Sequence, residues 1–272
     1  MFTGFFASRP VENALLIGAC AAVLSGVIGV FTVLRGQSFA GHALADVSSA
    51  GGAFSLLLGI NPMLGFFGLG LAGALGLAGR RSPADNDLAT GIMLGAGLGL
   101  TALLLHFAVT SRNVAGAASS IMFGSLFSAP PGAGALALGS ALAGLALLAG
   151  LHRPLLLASL DDGLAAVRGI RTRLLNLVFL ALLALAVTLS AMSVGAILST
   201  ALLIGPAAAA LRLVRRPGAA CLLAAVIGAA CTSGGIALAY ASYNWTPGHV
   251  WPVSFFIVAL VLLAYAAAWR RA

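Results

Sequence analysis

Apolar runs of about 20 residues recur along this chain, at about 13–34, 38–59, 62–79, 88–109, 133–151, 173–192, 194–211, 219–242 and 251–269. Each is long enough to cross a hydrocarbon core of about 30 Å as a helix. Only 7% of the 272 residues are charged and 61% are hydrophobic, whereas soluble domains carry about 25% charged residues. The expected fold is therefore an all-α membrane protein, a polytopic helical bundle of about eight to nine transmembrane helices forming a single domain over residues 1–272. No stretch is left over for a soluble domain. Residues 113–128, rich in Ser, Ala and Gly, read as a re-entrant or interfacial piece.

The net charge of +8 comes entirely from arginine. These residues lie in short loops and not on one basic face with aromatics, which argues against a nucleic-acid partner. Arg35, the pair Arg80 and Arg81, the cluster from Arg153 to Arg173, the group Arg212, Arg215 and Arg216, and the terminal Arg270 and Arg271 fall on one side if nine segments span. The positive-inside rule makes that side cytoplasmic, with Arg9 and Arg112 as the exceptions. The loops near 60, 112 and 246 then face outward, where Tyr243, Trp245 and Trp251 read as an aromatic belt.

Cys20, Cys221 and Cys231 are scattered in apolar sequence without CxxC spacing and read as small buried hydrophobes. Ile17 to Cys20 resembles a lipoprotein cleavage box, but Glu12 and Asn13 shorten the apolar region before the cysteine, and apolar sequence continues to Leu34. A retained helix is the expectation. Gly91, Gly95 and Gly99 recur every fourth residue and Gly70, Gly73, Gly76 and Gly79 every third, a pattern expected of helix-packing ridges within one bundle.

His42 and Asp46 lie one helical turn apart on one face of the second run. A central Asp in a membrane helix costs roughly 2.5 to 3.5 kcal/mol on insertion scales, so it faces a cavity, a partner or an ion pathway. Read as residues alone, the two are either a pair bracing the bundle or ligands to a cation. Imidazole nitrogen with carboxylate oxygen matches zinc, manganese or iron. Two donors do not close a site, so a second copy, other polar groups or water must complete it. Of the other histidines, His106 and His152 read as structural, and His249, beside Pro247 and Trp251, is the one further candidate ligand at the outer mouth.

The longest polar interval, LHRPLLLASLDDGLAAVRGIRTR, places Asp161 and Asp162 before a short helical pattern that Gly169 ends, with Arg171 and Arg173 following. From spacing alone it is equally an interfacial loop or a helix that docks on a soluble partner. There is no GxxxxGK followed by Ser or Thr to cradle a nucleotide, and no HExxH or GxSxG to support a membrane-embedded enzyme.

The segments FTVLRGQSFAGHALADVSSAGGAF, DLATGIMLGAGLGL, MFGSLF, LDDGLAAVRGI and VGAILSTALLIGPAAAALRL, taken in order, resemble the permease subunit of ABC importers for divalent metals, zinc, manganese and iron. The resemblance runs over nearly the whole chain and implies several expectations. Asp161, Asp162, Ala165 and Gly169, within a segment of about 155–172, match the family's cytoplasmic coupling helix, which inserts into a cleft on a separate ATP-hydrolysing subunit. The second helix of the family bears an Asp and, four residues on, a His that bind the passing metal; this sequence has the same residue types in reversed order, His42 then Asp46. The implied complex has two permease copies, two ATPases and an extracytoplasmic metal-binding protein in a bacterial cytoplasmic membrane, with no permanently bound cofactor. Permeases for iron chelates, haem or cobalamin-like ligands share the general architecture and are the alternative transport reading.

Overall fold

A computed structural model describes residues 9–78, 83–112, 116–124, 126–129, 132–242, 245 and 251–270. Among these residues there are helices and no strands, as the apolar periodicity requires. Nine helices are long: α1 (Arg9–Leu34), α2 (Ser38–Leu58), α3 (Pro62–Ala78), α4 (Pro83–Arg112), α6 (Ala133–Leu160), α8 (Thr172–Val194), α9 (Ala196–Leu213), α10 (Pro217–Ser242) and α11 (Val253–Trp269). Two are short, α5 (Ala117–Phe123) and α7 (Asp162–Val167), and a 3-10 turn covers Leu126–Ser128. Pro62, Pro83 and Pro217 open their helices at a position where no intrahelical N–H bond is lost.

Six of the long helices, α1, α4, α6, α8, α9 and α10, are long and apolar enough to cross a bilayer, while α3 and α11 are shorter apolar helices. The remaining long helix, α2, carries Ser38, His42, Asp46, Ser48, Ser49 and Ser55. It tolerates them because α3, α4, α8 and α9 pack around it and Asp46, Ser48, Ser49 and Ser55 are buried in protein. Ser48 Oγ pairs with Thr188 Oγ1 of α8 at 3.2 Å, and Ser25 Oγ of α1 pairs with Ser190 Oγ of α8 at 2.6 Å. The three cysteines are free and buried, as expected.

Two boundaries differ from the sequence expectation. The helix beginning at Ala133 does not stop near residue 151 but runs through Pro154 to Leu160. Leu155 and Ala158 are buried in the core, and that packing sustains the last two turns past the proline. The polar interval is consequently shorter than 155–172, and α7 has six residues. The glycine ridges also divide. Gly70 and Gly73 pack against Ser48, Thr188 and Leu44, but a Cβ at Gly76, Gly91, Gly95 or Gly99 would meet nothing within 4 Å among the described residues. The face of α4 that packs inside the chain is the one carrying Gly97.

The segment at 113–128 contains α5, which lies against α2, α4, α8 and α9. Its exit, Gly124, approaches Ser193 and the backbone of Gly195 at the break between α8 and α9. Gly195 has φ 96 and ψ 157, a region essentially restricted to glycine, and a Cβ there would collide with the Met122 and Phe123 backbone. Tyr243, His249, Gly79, Arg80, Arg81 and Arg271 lie outside the described residues. Of the two belt tryptophans that are described, Trp251 stacks on Phe256 with ring centroids 6.1 Å apart and Trp245 meets the same ring edge-on.

Gly195→Ala is expected to destabilise the fold by about 1–3 kcal/mol. Thermal unfolding in detergent reads this as a lowered midpoint, with Gly218→Ala, where an added Cβ meets nothing within 4 Å, as the control whose midpoint does not fall.

Candidate metal site in helix α2

His42 and Asp46 sit on successive turns of α2 with His42 Nε2 and Asp46 Oδ2 3.9 Å apart, too long for a hydrogen bond. Asp46 is 2% exposed, and its Oδ2 is buried with no hydrogen-bond partner among the described residues. His42 is 33% exposed, so the pair opens to one side of this chain. A buried carboxylate oxygen left bare is unfavourable unless a charge or donor faces it. His42 Nε2 faces it across 3.9 Å, a gap in which a shared cation would balance the charge.

Neighbouring helices fix both side chains. The ring is held from α9, where Thr200 Oγ1 lies 3.0 Å from His42 Nδ1. The backbone at Asp46 is held from α4, where Thr101 Oγ1 donates to the Asp46 carbonyl at 3.2 Å. α4 comes this close because residue 97 is glycine: a Cβ there would lie 2.9–3.0 Å from Val47 N and from Asp46 C and Cβ. Sequence reasoning singled out neither Thr101, Gly97 nor Thr200. Their signal, a lone threonine or an off-ridge glycine in an apolar run, has meaning only once the helices are placed. No group of three or more His, Cys, Asp or Glu gathers among the described residues, at this pair or elsewhere.

The second candidate region lies between α6 and α8. Asp161 caps α7, its Oδ1 accepting from the Leu164 N–H at 2.9 Å, and Gly169, with φ 78, ends the turn. Ala165 is fully buried and anchors α7 to the bundle, so it does not itself offer a contact; the outward apolar side chains are Leu160, Leu164 and Val167, the last 85% exposed. Asp162 acts electrostatically on Arg35, which stands between α1 and α2. Burial pulls the Arg35 guanidinium below its ordinary pKa, and the charge of Asp162 opposes this. Arg35 Nη2 donates to Asn176 Oδ1 on α8 at 2.9 Å, and its guanidinium lies 5.0 Å from the Phe179 ring centroid. Arg35, Gln37, Asp87, Asp162 and Asn176 line a cavity of about 490 Å³ at this end of the bundle. Arg35, partly buried just before α2, thus feels the charge of Asp162 on α7 and donates to Asn176 on α8.

A family model described as the ABC 3 transport family matches residues 8–266. The manganese transport system membrane protein MntC of Listeria innocua is 34% identical over 200 residues, covering 72% of this chain and 70% of that protein. The zinc transport system membrane protein TroC of Treponema pallidum is 29% identical over 218 residues, covering 74% of this chain and 70% of the relative. Among solved structures, PsaBC from Streptococcus pneumoniae in complex with Fab superposes with a TM-score of 0.84 at 26% identity, over 99% of this chain and 95% of that one. The bundle of long apolar helices and the match along almost its entire length together establish that this chain is a multi-pass membrane protein of the ABC 3 transport family.

Proposed function

We propose that this chain is the membrane permease subunit of an ATP-driven importer of divalent metal ions, manganese or zinc, and that His42 and Asp46 contribute ligands along the translocation path. The observation that carries the reading is the bare, buried Asp46 Oδ2 facing His42 Nε2 across 3.9 Å. Relatives named for manganese and zinc transport support the choice of cargo. The reversed order relative to the family leaves both donors on one stripe of the helix, since residues four apart share a face.

Two donors from one chain are too few for a bound divalent cation, and the open side of His42 supports completion by a second copy of the permease, with water or further polar groups. Energy comes from a separate ATPase docked on α7, where Leu160, Leu164 and Val167 present an apolar face beside acidic Asp161 and Asp162. Displacement of α7 would be felt at Arg35, seven residues before His42, through the charge of Asp162, and Arg35 is in turn held to α8 by Asn176. Such coupling would allow closure of the ATPases to bias the metal-bearing helix between two positions. An extracytoplasmic metal-binding protein would deliver the ion at the opposite end, where His249 is a further candidate ligand, and a bacterial cytoplasmic membrane is the expected location.

His42→Ala and Asp46→Ala should each abolish metal uptake by the reconstituted permease–ATPase complex while assembly is retained. A bracing role predicts otherwise: removing an unpaired charge from a membrane helix eases insertion, and transport would persist. The double exchange His42→Asp with Asp46→His restores the family's order and should keep partial uptake. A cysteine at Val167 should cross-link to the ATPase, whereas one at the buried Ala165 should not; failure at Val167, Leu164 and Leu160 in an assembled, ATP-hydrolysing complex would place the contact elsewhere.

A further inference from the structure

We propose that Thr200 is a positioning residue for the transported cation: its hydroxyl accepts the His42 Nδ1–H and so presents the Nε2 lone pair to the gap beside Asp46. This rests on the reading of His42 and Asp46 as ligands. The two ring nitrogens are used differently. Nδ1 lies 3.0 Å from Thr200 Oγ1 on another helix, while Nε2 lies 3.9 Å from a carboxylate oxygen that has no hydrogen-bond partner among the described residues.

A neutral imidazole carries its proton on one nitrogen only. If Thr200 donated to Nδ1, the proton would sit on Nε2 and point at Asp46 from a distance at which it makes no hydrogen bond, and the ring would offer the gap no lone pair. If Thr200 accepts from Nδ1–H, the lone pair of Nε2 and the bare oxygen of Asp46 converge on one space. Only the second arrangement offers a shared cation two donors, the Nε2 lone pair and the Asp46 oxygen that has no partner among the described residues. Partners of this kind, which fix the tautomer and ring plane of a ligating histidine, govern metal affinity from outside the ligand set.

The contact also spans two helices, α2 and α9, across 158 positions of sequence. A shift of α9 along α2 removes the acceptor from Nδ1 and frees the ring to turn. Metal affinity at this site is thereby tied to the relative placement of two helices, a property that an importer needs if it is to hold its cargo in one state and release it in another.

The test uses the permease–ATPase complex in nanodiscs, with manganese alone and zinc alone as probes. Binding is read by equilibrium titration, and uptake rates are measured in proteoliposomes. Thr200→Val should weaken binding about 10–100-fold, and Thr200→Ser, which keeps the hydroxyl, should restore it. The metal concentration for half-maximal uptake should rise in parallel, with the maximal rate changed by less than about twofold. A protein that binds metal like the wild type with Thr200→Val, but loses binding with His42→Ala, overturns the positioning role and leaves the metal site standing. Wild-type binding in His42→Ala removes the metal reading and this proposal with it. Should Thr200→Val fail to assemble, Thr200→Ala against Thr200→Ser decides, and equal affinities for those two overturn the proposal.

Discussion

Asp46 puts a carboxylate oxygen with no hydrogen-bond partner among the described residues inside a bundle whose walls are apolar. The surrounding helices bury it, so whatever balances its charge must be brought to it by the fold or by a ligand. Much of the packing around α2 follows from that constraint. α4 closes over the backbone at Gly97 and Thr101, α9 holds the facing imidazole through Thr200, and α8 supplies Thr188 to the neighbouring Ser48. A helix too polar to face lipid is wrapped by four others, and the one side chain of the pair that retains exposure is His42. The bundle thus shields Asp46 while leaving its Oδ2 without a hydrogen-bond partner among the described residues.

The helices themselves were legible because membrane spans announce themselves through length and hydrophobicity, and among the described residues each of the nine apolar runs coincides with a long helix. Ends were harder to read. Polar His152 and Arg153 followed by Pro154 look like a loop, yet Leu155 and Ala158 reach the core and carry α6 to Leu160. Tertiary burial outweighed the local signal. The cap at Asp161 and the turn at Gly169 were read correctly for the complementary reason: both depend on bonds within a few residues.

Glycine spacing showed the limits of a one-dimensional pattern. Gly91, Gly95 and Gly99 permit close approach, but spacing does not say to what, and within this chain the approach is made by Gly97 on another face of α4. The site divides along the same line. His42 and Asp46 are visible because four residues of separation already place them together. Thr101 and Thr200 stand 55 and 158 positions from their partners, and an isolated threonine in an apolar helix carries no mark of what it will touch. Ala165 matched the coupling pattern by type, but only packing reveals that it faces inward and leaves Leu160, Leu164 and Val167 to face outward.

X-ray absorption at the metal edge shows whether His42 ligates the cargo, because it reports which atoms surround the metal without relying on transport. For the zinc- or manganese-loaded permease–ATPase complex, free of any binding protein, ligation by His42 and Asp46 predicts a shell of nitrogen and oxygen, no sulfur, and the outer-shell scattering of imidazole, which disappears in His42→Ala. Sulfur in the shell, or an imidazole signal that persists without His42, would contradict it.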